Sequence, residues 1–96
     1  MPTFSKSELR LQLERVPHWR LRRQVISRTY EFPDFAAALR FVNSIGRAAE
    51  KANHHPDIDI RWNKVTLALT THDHGGLTLR DFDLAARCDV LSARPR

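Results

Sequence analysis

The chain has 96 residues, of which 42% are hydrophobic and 28% are charged, a length and balance typical of one globular domain. Its single cysteine, Cys88, excludes an intrachain disulfide and fits a reducing compartment. Because the chain shows neither a secretory-signal pattern nor an apolar run of membrane-spanning length, we expect a cytoplasmic protein with no membrane partner.

The net charge of +5 raises the question of a nucleic-acid partner. Basic residues are dispersed along the chain and are densest at Arg15, Arg20, Arg22, Arg23 and Arg28. An exposed, arginine-rich strand face accounts for this pattern, and a phosphate-binding face is the alternative. Since neither zinc-finger spacing nor an RNP signature accompanies the arginines, we do not expect nucleic acid to be a partner.

The first predicted element is a short amphipathic helix. Ser5 and Glu8 have the spacing of a capping box, in which a serine begins the helix and a glutamate three residues later bonds back to it. Apolar residues follow at helical spacing until Pro17, where we expect the helix to end.

A hairpin is predicted next. Side-chain character alternates with a period of two over residues 19–25, which indicates a strand, and residues 28–32 form a plausible second strand. The turn between them falls near Ile26 and Ser27. This hairpin is the weaker of the two predicted, because its turn contains no Gly, Asn or Pro.

A long central helix is predicted over residues 34–51, with Asp34 as its N-cap. The apolar residues of one helical face are Phe35, Ala38, Leu39, Val42, Ile45, Gly46 and Ala49. The helix brings Glu50 close to the histidine pair His54-His55.

The second predicted hairpin has its loop at Asn63 and Lys64, between two runs of alternating apolar residues. In that register Trp62 faces Val65, Ile60 faces Leu67 and Ile58 faces Leu69, so Trp62 is expected in the core. Extending the register outward places His55 opposite His72, so we expect three histidines to gather at one end of this hairpin.

A third helix is predicted to begin at a second capping box, Thr78 to Asp81, with Leu79, Phe82, Ala86 and Val90 facing inward. The element order is therefore α-β-β-α-β-β-α. Consecutive hairpins with one apolar face predict an α+β fold, a four-stranded antiparallel sheet with three helices packed on one face. Residues 1–96 are expected to form one domain.

The histidine cluster allows three interpretations. An unperturbed imidazole titrates near neutral pH, so His54, His55 and His72 could form a metal-free acid–base site. Zinc is a second interpretation, because catalytic zinc takes three protein ligands and His72 and His74 would share a strand face. The third is a set of unrelated surface histidines. By residue type alone, Asp81 is first a helix cap, and Cys88 is expected to be inert.

The residues resemble the pterin-4a-carbinolamine dehydratase family, also known as the dimerisation cofactor of a hepatic homeodomain transcription factor. The resemblance is carried at matching spacings by Glu50, His54-His55-Pro56, Trp62, His72 and Asp81, and it covers about residues 19–90. Its wider features are Trp19, Tyr30-Glu31-Phe32, Asn63-Lys64-Val65, Thr71-His72-Asp73 and Gly76-Leu77-Thr78. Two positions depart from the pattern: Ile58 stands where an aromatic is common, and Asn53 where an acidic residue is common.

The resemblance implies a hydro-lyase that dehydrates 4a-hydroxytetrahydropterin to quinonoid dihydropterin in tetrahydropterin recycling. It implies His54, His55 and His72 as catalytic residues, with His54 and His72 as the acid candidates and His55 also orienting the pterin. Residues expected to bind or orient the substrate are Glu50, Asn53, Thr71, Asp73, Arg80 and Asp81.

The elimination needs no metal and no redox cofactor, because the substrate loses only water. The resemblance also implies a homodimer or homotetramer and a connection to an aromatic amino acid hydroxylase pathway. The alternative function is a protein-binding module, a dimerisation or transcriptional cofactor without essential catalysis.

Overall fold

In the computed structural model, which describes residues 4–94 apart from the side chain of His74, three helices accompany one four-stranded antiparallel sheet. The elements in chain order are α1 (Lys6–Arg15), β1 (Arg20–Arg22), β2 (Val25–Glu31), α2 (Phe35–Ala52), β3 (Asp57–Arg61), β4 (Lys64–Leu69) and α3 (Leu79–Ser92). A short 3₁₀ helix, His72–His74, lies between β4 and α3. The predicted fold class and element order are confirmed.

The strands lie side by side in the order β1-β2-β4-β3, so β1 and β3 form the sheet edges. Alternate residues of the inner strands are buried, among them Ile26 and Tyr30 on β2 and Leu67 and Leu69 on β4. These side chains form the core with the apolar faces of the helices. The opposite face is polar, and there the hydroxyls of Thr29 and Thr66 bond across β2 and β4 at 2.8 Å.

The first hairpin turns earlier than predicted. Its turn is formed by Arg23 and Gln24, whose φ angles of +50° and +63° are those of a tight hairpin turn, and Ile26 is fully buried rather than in the turn. A positive φ costs an ordinary residue roughly 1–2 kcal/mol. The Thr70 hydroxyl donates a hydrogen bond to the Gln24 carbonyl oxygen at 2.7 Å, which helps to hold this turn.

The second hairpin has its loop at Trp62 and Asn63, one residue before the predicted position, so Arg61 pairs with Lys64 and Ile60 with Val65. A shift of two in the paired residue keeps every side chain on its predicted face but changes its partner. Trp62 itself lies in the loop and not in β3, so its predicted placement in the core is wrong: it has a φ of +51° and is 66% exposed. Asn63 supports the loop by donating to the Phe32 carbonyl oxygen at 2.8 Å.

The helices begin where their caps predict. Ser5 Oγ accepts from the Glu8 backbone N–H at 3.1 Å, and the hydrogen bond from the Ser5 backbone N–H lowers the pKa of Glu8. The Asp34 carboxylate accepts from the Ala37 backbone N–H at 2.8 Å, and Thr78 begins α3. Across residues 4–94, none of the helices is both long enough and apolar enough to cross a membrane.

The buried faces of α2 and α3 are rotated from those predicted. Phe35 and Leu39 are 45% and 42% exposed, and Leu79 and Val90 are 46% and 53% exposed, so their predicted inward positions are wrong. The fully or nearly buried residues of the two helices are Ala37, Ala38, Phe41, Ile45, Ala49, Asp81, Phe82, Leu84, Ala85, Cys88 and Leu91. Phe41 explains the rotation of α2, since its ring lies within 4.9 Å of both Tyr30 and Phe32.

A polar cluster ties α3 to the sheet at a position that the sequence did not reveal. Asp89 Oδ1 accepts hydrogen bonds from Trp19 Nε1 at 2.9 Å, from the Arg28 guanidinium at 2.8 Å and from the Tyr30 hydroxyl. Burial, followed by this bond to Asp89, raises the pKa of Tyr30 well above its usual value. Burial also raises the pKa of the neighbouring Cys88 thiol to about 12, which fits its predicted inertness.

Candidate active site

The candidate site begins where α2 ends. Asn53 has left-handed backbone angles, its N–H bonds to the Glu50 carbonyl, and the His54 N–H bonds to the Ala49 carbonyl at 3.1 Å. This pair of bonds is a Schellman motif, and asparagine is one of the few residues that adopt its left-handed position readily. Asn53 therefore has a backbone role in ending α2. The reversal of the chain places His54 and His55 immediately after the helix.

His54 points into the protein and bonds to a carboxylate from α3. Its Nε2 lies 2.6 Å from Oδ1 of Asp81, and the two side chains are 9% and 0% exposed. The second carboxylate oxygen, Oδ2, accepts from the Thr71 hydroxyl at 2.8 Å and from the Thr78 backbone N–H at 2.9 Å. Asp81 is thus both the helix cap that the sequence predicts and the partner of a histidine.

These contacts determine which nitrogen of His54 carries hydrogen. Oδ1 of an ionised carboxylate can only accept, so Nε2 must be the donor. The other ring nitrogen, Nδ1, has no hydrogen-bond partner among the described residues. Every fully buried side-chain nitrogen or oxygen that the structure describes has a partner, so Nδ1 is not fully buried and is accessible to solvent. Neutral His54 is therefore an Nε2–H tautomer that accepts a proton at Nδ1, and protonated His54 donates one from the same atom.

His55 forms the second histidine–carboxylate pair, and this one is exposed. Its Nε2 lies 2.5 Å from Oε2 of Glu50, one turn back on α2, and the side chains are 57% and 78% exposed. Water screens an exposed pair, so we expect it to orient the imidazole more than to stabilise the fold. The two adjacent histidines consequently differ in environment: His54 is enclosed and His55 faces solvent.

His72 is exposed on the 3₁₀ helix, and no hydrogen bond joins it to His54 or His55 within residues 4–94. The predicted pairing of His55 with His72 across the hairpin is wrong, because the observed register of β3 and β4 does not align them. The segment of His72 is linked to His54 through the preceding residue, Thr71. The Thr71 hydroxyl and the His54 ring bond to the two oxygens of the same Asp81 carboxylate. The strand predicted for His72 and His74 is a 3₁₀ helix.

The remaining predicted residues divide into two groups. Thr71 and Asp81 belong to the buried network, and Arg80 donates to the Asn53 carbonyl oxygen at 2.5 Å, which ties the start of α3 to the end of α2. Asp73 is exposed on the 3₁₀ helix. The sequence did not predict the side-chain role of Thr78, whose hydroxyl lies 3.0 Å from that of Thr71. The capping-box pattern indicated only that Thr78 stands at the start of α3.

The arrangement suits proton transfer. Among the side chains that the structure describes, no three from His, Cys, Asp or Glu are grouped so that they could hold a metal ion. A histidine oriented by a buried carboxylate is a common form of general acid or base, because the carboxylate fixes the tautomer and stabilises the imidazolium. The geometry therefore provides one oriented proton carrier, His54, with two more imidazoles on nearby segments.

Comparison with known proteins gives a consistent result. The family model for pterin 4 alpha carbinolamine dehydratase matches residues 2–91. A protein of Acidobacterium capsulatum is 52% identical over 91 residues, covering 95% of this chain and 99% of its own. One from Chloroflexus aurantiacus is 53% identical over 91 residues, covering 95% and 98%. Both are named "Putative pterin-4-alpha-carbinolamine dehydratase".

Two solved structures share the fold. The structure of a transcriptional coactivator/pterin dehydratase from Brucella melitensis superposes with a TM-score of 0.91 at 29% identity, covering 96% of this chain and 100% of its own. A pterin dehydratase-like protein described as a RuBisCO assembly factor in the alpha-carboxysome gives a TM-score of 0.67 at 18% identity, covering 80% and 89%. At that identity the second likeness concerns the fold alone.

Proposed function

Because the chain belongs to the pterin-4a-carbinolamine dehydratase family, we propose that it dehydrates 4a-hydroxytetrahydropterin to quinonoid dihydropterin by histidine acid–base catalysis. The observation that carries this proposal is the enclosed pair of His54 and Asp81, whose geometry leaves Nδ1 of the imidazole available to a substrate. No cofactor enters the reaction that we propose.

The reaction removes a hydroxyl from C4a and a hydrogen from N5. An acid protonates the hydroxyl oxygen, and the C4a–O bond breaks so that its electron pair leaves with water. The lone pair of N5 forms the double bond to C4a, and a base takes the proton from N5. One proton enters the substrate and one leaves it, so the protein returns to its starting protonation state and one water is released.

The residues divide this work by their environments. Protonated His54 donates from Nδ1 to the departing oxygen and becomes the neutral Nε2–H tautomer that Asp81 already selects. His72 is the second acid candidate, for a hydroxyl on the opposite face of the pterin. His55, held by Glu50, binds and orients the ring. A positioned acid or base of this kind contributes roughly 10²–10⁴-fold to a rate.

The experiment compares variants of single histidines in the turnover of freshly generated 4a-hydroxytetrahydropterin. His54→Gln is the informative change, because the glutamine amide can donate to Asp81 but cannot exchange a proton at neutral pH. His18→Ala is the matched control, since His18 is exposed and outside the site. We expect His54→Gln to lose turnover while His18→Ala retains it. Equal turnover by the two variants would contradict the proposal.

A homo-oligomer is the partner that we propose besides the pterin. Strand β3 is an unpaired sheet edge carrying Ile58, which is 40% exposed, and the nearby α2 exposes Phe35 and Leu39. Open edges and apolar side chains are commonly covered by two-fold association. Light scattering measures the mass of the protein in solution. A mass of one chain, 11.1 kDa, that does not change when the protein is concentrated would refute the homo-oligomer.

A binding function is the second candidate, because the 29%-identical neighbour from Brucella melitensis is described as a transcriptional coactivator as well as a pterin dehydratase. The two functions are separable by the same variant. Loss of His54 chemistry removes dehydration, whereas binding of a protein partner through an exposed surface does not require an enclosed proton carrier. Recycling of a tetrahydropterin for a hydroxylase would be the pathway for the enzymatic function.

A further inference from the structure

A groove of about 540 Å³ runs between α2 and α3 and reaches the candidate site. His54 and Arg80 line it where the end of α2 meets the start of α3, and Ser44 and Arg94 line it toward the other ends of these helices. Its apolar lining includes Leu84 and Leu91, both 4% exposed. The groove is therefore continuous with the accessible side of His54 and is longer than the site itself.

The groove is strongly basic. Its lining includes five exposed cationic side chains, from α2, from α3 and from the residues just after α3: Arg47, Lys51, Arg80, Arg87 and Arg94. Arg47 and Lys51 are four residues apart on α2, and Arg80 and Arg87 are seven apart on α3, which places each pair along one helical face. The one acidic residue in the described lining, Asp83, is already paired with Arg15 at 2.8 Å.

This charge is not neutralised within the protein. The side chains of Lys51, Arg87 and Arg94 make no hydrogen bond or ion pair with the residues that the structure describes. Five of the sixteen Lys and Arg residues but only one of the eleven Asp and Glu residues line this groove, so most of the net charge of +5 is concentrated there. Cations held together in a concave surface repel one another and attract anions.

We propose that the groove binds an anionic side chain on the pterin substrate, a phosphate ester or a carboxylate. The proposal rests on the proposed function, since it places the pterin ring at His54. Arginine side chains match the geometry of phosphate and carboxylate groups, and the apolar lining accommodates the carbon chain that carries them.

The spacing along α3 sets the length of this side chain. Arg80 and Arg87 are separated along the axis of α3 by roughly 10 Å, at about 1.5 Å per residue. A single charged group a few bonds from the ring reaches the first part of the groove, near Lys51 and Arg80. An extended side chain with several charges also reaches Arg47 and Arg87.

Equilibrium binding of oxidised pterins, which cannot be dehydrated, tests the proposal independently of catalysis. Pterin fluorescence is titrated for a neutral hydroxyalkyl pterin, the same pterin phosphorylated on its side chain, and a pterin carrying a glutamyl chain. Inorganic phosphate is added as a competitor to separate recognition of the free anion from that of the attached one. We expect the wild-type protein to bind an anionic pterin roughly tenfold more tightly than the neutral one, and we expect added salt to reduce this preference.

Two variants assign the preference to the groove. Arg87→Gln and Arg47→Gln remove one cation from each helix, and both side chains are exposed, so folding should persist and is checked by urea melting. Arg40→Gln is the matched control, an exposed arginine on α2 that does not line the groove. We expect both groove variants to lower the ratio of anionic to neutral affinity, and we expect the control to leave it at the wild-type value.

The other outcomes separate failure of this inference from failure of the proposed function. Equal affinity for neutral and anionic pterins, or a preference that survives in both groove variants, would refute it. Binding of a single-stranded oligonucleotide that depends on Arg87, without a preference among pterins, would assign the groove to nucleic acid instead. If the protein dehydrates the neutral carbinolamine but shows no anionic preference, only this inference fails. If it prefers the anionic pterin but dehydrates neither carbinolamine, the proposed function fails.

Discussion

Asp81→Asn is the substitution that probes the buried network most finely, because it changes one atom of the carboxylate and keeps its shape. The amide oxygen can take the place of Oδ2 and accept from the Thr71 hydroxyl and the Thr78 N–H. The amide nitrogen then replaces Oδ1, opposite Nε2 of His54. Two donors would face each other, so His54 must move its hydrogen from Nε2 to Nδ1.

The stability cost follows from the lost bonds. A hydrogen bond to a charged acceptor is worth about 1.5–3 kcal/mol and a neutral one about 1 kcal/mol. Replacing the bond between His54 and the carboxylate by a bond to the neutral amide therefore costs about 1–2 kcal/mol. Removing a negative charge from the first turn of α3 adds about 0.3–1 kcal/mol. The sum lies below the roughly 5–15 kcal/mol that stabilises a domain, so the variant should fold. Asp81→Ala should be worse, because it leaves the buried His54 and Thr78 N–H groups without their acceptor.

The activity cost is expected to be larger. With hydrogen on Nδ1, neutral His54 cannot take up at that atom the proton that it donates to the departing oxygen, and its protonated form has lost the carboxylate that stabilises it. Loss of such a group costs roughly 10²–10⁴-fold in turnover. The assay measures kcat and urea stability of the same preparation, and ¹⁵N NMR of the imidazole identifies the tautomer. Wild-type kcat in a folded variant whose His54 carries hydrogen on Nδ1 would refute the reasoning.

Three further predictions concern other groups. His55→Ala should raise KM for the pterin more than it lowers kcat in steady-state assays, because this exposed imidazole orients the ring; an unchanged KM would remove that role. Asp89→Ala should lower the free energy of unfolding by about 2–4 kcal/mol in urea melts, since Tyr30 and two other donors lose their acceptor. The exposed control Asp59→Ala should lower it by only about 0–1 kcal/mol. Similar losses for the two variants would contradict a stabilising role for the Asp89 cluster. Burial raises the pKa of the Cys88 thiol to about 12, whereas the pKa of a cysteine in the unfolded chain is about 8.5. The stability that the protonated thiol contributes is therefore complete below the unfolded pKa and is lost as pH rises toward the folded pKa. Wild-type protein should lose more stability than Cys88→Ala in alkaline urea melts, and parallel losses would argue against this linkage.

The local patterns of the sequence predicted the elements well, because each depends on neighbours along the chain. The capping box at Ser5 and the N-cap Asp34 form the predicted backbone contacts, and at Thr78 the backbone N–H donates to Asp81 Oδ2 at 2.9 Å. Alternation also placed Ile58 and Ile60 on their observed face. It could not determine their partners, since a shift of two residues leaves every face unchanged.

The turns were harder to predict for a related reason. Arg23, Gln24 and Trp62 adopt positive φ angles that their residue types rarely favour, so turn chemistry gave no local signal for them. The contacts that impose these angles come from distant segments, as when the Thr70 hydroxyl bonds to the Gln24 carbonyl. Trp62 shows the consequence: its apolar character suggested the core, but the loop carries it into solvent.

The site was predictable as a set of residues and not as an arrangement. His54, Asp81 and Thr71 were all expected, yet their network joins the end of one helix to the start of another across 27 residues. Asp81 has the sequence pattern of a cap, and nothing local indicates that its other oxygen, Oδ1, bonds to a histidine. The basic groove was not predictable for the same reason, because Arg80 and Arg87 are seven residues apart on α3 and lie beside the cations of α2 only in the folded chain.

Multiple-turnover dehydration tests the central claim most directly. Freshly generated 4a-hydroxytetrahydropterin is mixed with a much smaller amount of the purified wild-type protein, and quinonoid dihydropterin is followed optically against the spontaneous reaction. We predict a rate that rises in proportion to protein concentration, with many substrate molecules converted per chain. A rate equal to the spontaneous one at every protein concentration would contradict the assignment of this protein as an acid–base dehydratase.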